Sequence, residues 1–212
     1  MEKTMVGSGT GKGRPASRFL VGIGASAGGP KALQHILQNL STDVCGILIV
    51  QHLSKGFSKS FARYLDGLLR LKVKEAVTGE PVLDGTVYLP SDGCQMSIWK
   101  SGDGYLLKNE PGERVGGFAP AIDPLFKSLA KTAGKNAMGI ILTGMGEDGA
   151  AGLLEMKQAG AYTIVQDKAT SEIHNMPSAA FLRGGAARRV PLENIAGEIS
   201  GFCTRMRNIR GM

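Results

Sequence analysis

The sequence predicts an α/β fold, a three-layer α/β/α arrangement with a doubly wound, mostly parallel sheet and a small antiparallel hairpin region near residues 72–108. Three observations predict it. Short apolar runs end in glycine turns and are followed by segments with apolar residues at helical spacing, the alternation that builds a parallel sheet covered on both faces. In the middle third the β-prone runs are shorter and separated by Asp-Gly or Gly-Asp-Gly, which is hairpin turn chemistry. The 212 residues, 42% of them hydrophobic, suffice for one domain with a buried core but not comfortably for two.

Residues 1–18 are rich in Gly, Ser, Thr and Lys without apolar periodicity, so they are expected to form a flexible tail or linker remnant, with residues 19–212 as the folded domain. Residues 19–24 read as the first strand and 29–40 as the helix after it. Residues 46–51 are the second strand, and the helix over 57–69 places Phe57, Phe61, Leu65 and Leu68 on one apolar face. Residues 73–76, 86–89, 95–99 and 105–108 are read as antiparallel hairpin strands. A helix over 122–132, a strand over 138–142, a helix over 148–159 and a strand over 162–165 resume the alternation. A short helix after Pro177 and one over 192–206 close the chain.

Composition excludes several classes. The longest apolar runs, 46–50 and 138–142, fall far short of the roughly 20 residues that cross a bilayer, and residues 1–18 have no signal-peptide core, so a cytoplasmic protein without membrane insertion is expected. Cys45, Cys94 and Cys203 are odd in number and widely spaced, which fits reduced thiols and offers no zinc or redox pair. The net charge of +7 lies at the two ends, while residues 19–182 are balanced and aromatic residues make up only 6% of the chain. A nucleic-acid partner, which wants a basic folded face with stacking aromatics, is not expected.

The strongest local signal is the segment from Gly22 through Gly24, Ser26, Gly28 and Gly29 to Pro30, where a buried strand turns into a helix. As Gly24-x-Ser26-x-Gly28 it matches a nucleophile elbow, a strained turn that exposes a serine hydroxyl at the sheet's carboxyl edge. As Gly22-x-Gly24-x-x-Ala27 it matches a dinucleotide fingerprint, but the next strand ends in Gln51-His52 rather than in the acid that would hold a ribose. A plain tight turn with Ser26 as helix cap is the third reading.

A serine needs a base to take its proton. Of the three histidines, His35 falls within a helix beside apolar positions, His174 in a late loop, and His52 at the end of the second strand, where neighbouring parallel strands present ligand-binding residues on one edge. An acid must then orient the imidazole. The segment 142–149 follows another apolar strand and carries Glu147 and Asp148; Asp148 alone reads most simply as a helix cap, and Asp123 and Asp167 stay open as alternatives. Lys55, Lys59 and Arg63 recur every four residues and form a basic row that is either a solvated face or a surface for an acidic partner. The Gly11-Lys12 segment lacks both a preceding strand and a Ser or Thr, so it is not a phosphate loop.

Taken together, residues 22–30, Gln51-His52, Phe57, residues 60–63, Leu65, residues 123–126, 142–146, 148–150, 166–171 and 175–177 occur in the order of a known family. Over about residues 19–200 the chain resembles the catalytic domain of CheB-type chemotaxis methylesterases, which hydrolyse glutamyl methyl esters on bacterial chemoreceptors. The resemblance implies Ser26 as nucleophile, His52 as base and Asp148 as its orienting carboxylate. It further implies Ala27, Gly28 and Met145 as backbone support for an oxyanion, and no metal or cofactor. It also implies deamidation of receptor glutamines, receptor cytoplasmic helices as partner, and Lys55, Lys59 and Arg63 as substrate contacts. Most members carry an N-terminal receiver domain, for which this chain is too short, so it reads either as a free-standing enzyme, with a separate receiver or response regulator as a further partner, or as an excised catalytic domain with a linker. Ala27 stands where the family usually has Thr, and Phe118-Ala119-Pro120-Ala121 where it commonly has His-Arg-Pro-Ser. A dinucleotide-binding module and a catalytically idle docking domain are the rival readings.

Overall fold

The computed structural model describes residues 14–209. Its strands are β1 (Leu20–Ala25), β2 (Gly46–Gln51), β3 (Lys72–Glu75), β4 (Thr86–Leu89), β5 (Cys94–Ser101), β6 (Gly104–Pro111), β7 (Ala137–Ile141), β8 (Tyr162–Gln166) and β9 (Arg188–Val190). The helices are α1 (Gly29–Gln38), α2 (Ser58–Leu68), α3 (Ile122–Thr132), α4 (Ala150–Gln158), α5 (Asn175–Leu182) and α6 (Leu192–Ile209). Seven strands form one parallel sheet in the order β3-β4-β2-β1-β7-β8-β9, and β5-β6 form a separate antiparallel pair.

The strands alternate between two cores, as a period of two requires when both faces are buried. Val21, Ile23, Ile47 and Ile49 face Leu33, Ile36, Leu65, Ile199 and Phe202 of α1, α2 and α6. Leu20, Leu48 and Val50 face Leu125, Phe126, Leu129, Leu153 and Met176 of α3, α4 and α5, together with Met96 and Leu107 of the hairpin. On this second face β1 presents Gly22 and Gly24, where an added Cβ would lie 2.4 Å from Leu129 Cδ1 and 2.5 Å from Ile122 Cγ2. The two glycines admit α3 onto the sheet, so their packing role replaces the dinucleotide reading.

Three expectations change in detail. Residues 72–75 and 86–89 are not hairpin partners: β3 pairs parallel with β4, and β4 parallel with β2, so both extend the main sheet. The connection between them makes the crossover that parallel pairing demands, held by Val82 N–H to Tyr105 O (2.9 Å) and Leu107 N–H to Glu80 O (2.9 Å) on β6. Gly85 (φ 64°) abuts Thr42 O instead of closing a hairpin. Second, the expected tail is anchored at Ser17, which is buried, its N–H donating to Val82 O (2.7 Å) and its Oγ accepting Gly46 N–H (2.8 Å), while residues 14–16 are exposed. The rest of that expected tail, residues 1–13, lies outside the described residues. Third, α5 begins at Asn175, two residues before Pro177, which its first turn accommodates because that turn needs no N–H partner. Cys45, Cys94 and Cys203 are free thiols, the first and last of them buried.

Candidate active site

Since β2, β1 and β7 are neighbours and run parallel, their carboxyl ends share one edge of the sheet. Ser26 directly follows β1, and His52 directly follows β2. The ladder pairs Ala25 with Gln51, and His52 N–H donates to Ala25 O (3.0 Å), so Ser26 and His52 are the next residues in register. Asp148 arrives from the loop after β7. His52 Nε2–H donates to Asp148 Oδ2 at 2.8 Å, with the two side chains 7% and 6% exposed. A carboxylate only accepts, so this bond places the imidazole proton on Nε2 and leaves the lone pair on Nδ1. Among the described residues Nδ1 is buried with no hydrogen-bond partner.

Asp148 does not cap the helix that follows it. The N-cap of α4 is Gly149 (φ 88°), and no side chain caps that end. Asp148 instead accepts Ile122 N–H (2.7 Å) through Oδ2 and Asp123 N–H (3.0 Å) through Oδ1, at the N-terminus of α3. That end supplies unpaired donors and partial positive charge, which hold a carboxylate in place. Asp123 returns the favour to the neighbouring helix by accepting Gly152 N–H (2.7 Å). Burial, and secondarily the Asp148 charge, push the Asp123 carboxyl above the ordinary range.

The serine turn is fixed by side chains from two other strand ends. Gln51, 4% exposed, donates through Nε2 to Ser26 O (2.9 Å) and to His52 O (2.8 Å), tying the two turns together. Ser26 N–H donates to Thr143 O (3.1 Å), and Thr143 Oγ1 donates to Ala27 O (2.9 Å). Gln166 at the end of β8 accepts Thr143 N–H (2.8 Å). The left-handed residue is Gly28 (φ 77°), and no residue other than glycine has positive φ among the described residues, so the expected strain does not fall on Ser26. A Cβ on Gly144 would stand 2.7 Å from Ser26 Cβ and 2.2 Å from Met176 Sδ. Gln51, Gly144 and Gln166 stand in segments that carry the family resemblance, which gives them no individual role; the signal for Gln51 and Gln166 is a polar residue closing an otherwise apolar buried strand.

The other predicted residues are distributed differently. Ala27 and Gly28 form the turn into α1, and Met145 is 62% exposed in the loop between β7 and α4. Lys55 lies in the turn before α2, which starts only at Ser58, and lines a groove of about 720 Å³ beside His52. Lys59 and Arg63 are exposed on α2 and do not line it. Arg114, Phe118 and Asp92 do line it, the last engaged by Gly56 N–H (2.9 Å) and Ser58 Oγ (2.7 Å) at the start of α2. Asp167 accepts from Thr170 in its own turn and is not on His52. His35 is exposed on α1. His174 lines a second cavity with Glu147 and Asn175, and burial, then Arg189 and Lys168, hold its pKa below the ordinary value. Among the described residues no group of three or more His, Cys, Asp or Glu side chains is placed to hold a metal, and no helix is long and apolar enough to cross a membrane.

Comparison with known proteins decides the family. The CheB methylesterase family model matches residues 21–199. The chain belongs to the CheB methylesterase family. A crystal structure of the CheB methylesterase catalytic domain of Thermotoga maritima superposes with a TM-score of 0.82 at 32% identity, covering 85% of this chain and 96% of that one. A protein-glutamate methylesterase/protein-glutamine glutaminase of Bordetella avium is 49% identical over 178 residues, 84% of this chain and 51% of that protein. One of Ralstonia nicotianae is 47% identical over 176 residues, 83% of this chain and 46% of that protein. The chain therefore spans about half the length of the curated relatives it matches, and what it shares with them is the CheB catalytic fold.

Proposed function

We propose that this chain is a serine esterase that removes methyl groups from glutamyl methyl esters of bacterial chemoreceptors. The observation that carries the reading is the 2.8 Å bond from His52 Nε2 to Asp148 Oδ2 beside Ser26, all at one sheet edge. Ser26 Oγ attacks the ester carbonyl carbon while its proton passes to His52 Nδ1, and Asp148 stabilises the imidazolium. The N–H groups of Ala27 and Gly28 at the start of α1, with the backbone near Met145, receive the oxyanion. The tetrahedral adduct collapses, the methoxy group takes the proton from His52 and leaves as methanol, and a glutamyl ester on Ser26 remains. Water, deprotonated by His52, attacks that ester; the carbon–Oγ bond breaks, and glutamate and Ser26 are restored. A glutamine amide follows the same route with ammonia as leaving group, in keeping with the two activities in the relatives' names.

The partner in this reading is the receptor's cytoplasmic methylation helices, whose acidic character suits Lys55 and Arg114 on the groove beside His52. A phosphoryl-receiver unit is the regulatory partner, and the cytoplasm the place of action. The test is methanol release from methylated chemoreceptor by the unsubstituted protein and by Ser26→Ala. Turnover that vanishes with the hydroxyl supports the esterase; turnover unaffected by it, or none by either protein, refutes it.

A further inference from the structure

The ring of Phe118 lies parallel to that of His52, with centroids 3.8 Å apart and planes inclined by 5°. The hydrogen bond from Nε2 to Asp148 fixes one point of the imidazole. Hydrogen bonds tolerate tens of degrees of angular deviation, so this bond alone lets the ring plane rock and carry Nδ1 away from the serine. A flat ring against the other's face removes that freedom.

Phe118 is itself held for this purpose. It ends a four-residue turn in which Val115 N–H donates to Phe118 O (2.9 Å) and Phe118 N–H to Val115 O (3.0 Å). The two central residues are Gly116 (φ 60°) and Gly117 (φ 90°), the doubly left-handed pattern of a tight hairpin turn. Gln95 of β5 clamps the turn: its Nε2 donates to Glu113 O (2.9 Å) and Phe118 O (3.2 Å), and its Oε1 accepts Ala121 N–H (3.0 Å). Arg114 Nη1 donates to Gly117 O (3.0 Å). The Phe118 side chain nevertheless belongs to neither apolar core and is 37% exposed. An exposed aromatic ring on a turn with this many anchors contributes little to folding, and among the described residues its ring contact is the imidazole.

We propose that Phe118 is a positioning residue for the reaction proposed above, on which this inference rests: its ring holds the plane of His52 and its π-face attracts the imidazolium that forms when His52 takes the serine proton. A neutral imidazole gains little from the quadrupole of the phenyl face, whereas a cation over that face gains severalfold to tenfold or more in equilibrium terms. An interaction made only in the charged state appears in kcat and leaves KM alone.

The test compares the unsubstituted chain with Phe118→Leu, which keeps apolar bulk without a π-face, and Phe118→Tyr, which keeps the ring. Methanol release is expected to show kcat about tenfold lower for the Leu variant with KM within about twofold, and near-normal kcat for the Tyr variant. Without substrate, the low-field proton resonance of His52 Nε2–H is expected to stay sharp with Tyr and to broaden or vanish with Leu. Equal kcat for all three, equal loss in Leu and Tyr, or a rise in KM alone would overturn the proposal and leave Phe118 as a wall of the groove. Absence of turnover in the unsubstituted protein would count against the esterase reading, and the resonance would still decide whether Phe118 holds the ring.

Discussion

The carboxyl edge of β2, β1 and β7 and the turn at residues 112–121 both touch His52, and they are built in opposite ways. At the sheet edge the polar contacts are buried or partly buried: Gln51 bridges Ser26 O and His52 O, Thr143 and Gln166 brace the serine turn, and Asp148 sits on the α3 N-terminus. Residues 112–118 of the turn are exposed, anchored mainly through Gln95 and Arg114, and contribute one ring. The difference teaches that in the proposed reaction the edge would carry the chemistry, because a misplaced buried polar group costs stability as well as rate. The turn can vary at little cost to the fold.

The largest effect that would break this contrast is at Asp148. Asp148→Asn should lower kcat on the order of 10³- to 10⁴-fold, since the amide no longer enforces the Nε2–H tautomer. It should also cost stability, because two N–H donors of α3 lose a charged acceptor. A steady-state assay beside a thermal melt checks both. Next comes Gly144→Ala, whose Cβ would meet Ser26 Cβ and Met176 Sδ. It should cut kcat by about a hundredfold through displacement of the serine turn, with overpacking of about 1–3 kcal/mol seen in denaturant unfolding.

The smallest effect sharpens the picture of the edge. Asp123 has its folded pKa raised by burial and by Asp148, so between the unfolded and folded values the native state binds more protons than the unfolded chain. Its contribution to stability is therefore present in acid and lost as pH rises through the folded pKa. Asp123→Asn, which keeps an acceptor for Gly152 N–H, should gain stability relative to the unsubstituted chain at pH 7 and lose that advantage near pH 3. Asp123→Ala should be about 1 kcal/mol less stable than Asp123→Asn at either pH, by analogy with a lost helix cap. Unfolding curves at the two pH values separate these outcomes.

Much of the site was legible because its parts are local. Ser26 and His52 each directly follow a short apolar strand, and parallel neighbours must end on one edge, whereas spacing leaves the acid open between Asp148, Asp123 and Asp167 and only the family resemblance singles out Asp148. What escaped depends on partners distant in sequence. The residues 72–75 and 86–89 look like hairpin strands because turn chemistry is read locally, whereas their parallel pairing is decided by the segment that crosses over along β6. Asp148 reads as the cap of its own helix and serves α3 instead, because helix packing brings that N-terminus closer. Lys59 and Arg63 share a spacing with Lys55, but α2 starts after Lys55 and turns the other two away from the groove. Phe118 stands 66 residues beyond His52, and nothing in its spacing announces the stack.

The central claim, that Ser26 is a nucleophile activated by His52, is tested most directly by labelling the chain with a fluorophosphonate and locating the adduct by peptide mass spectrometry. The account predicts one adduct, on Ser26, forming at least about 10³-fold more slowly in His52→Ala than in the unsubstituted chain. An adduct on another residue, or labelling of Ser26 at the same rate without His52, would contradict it.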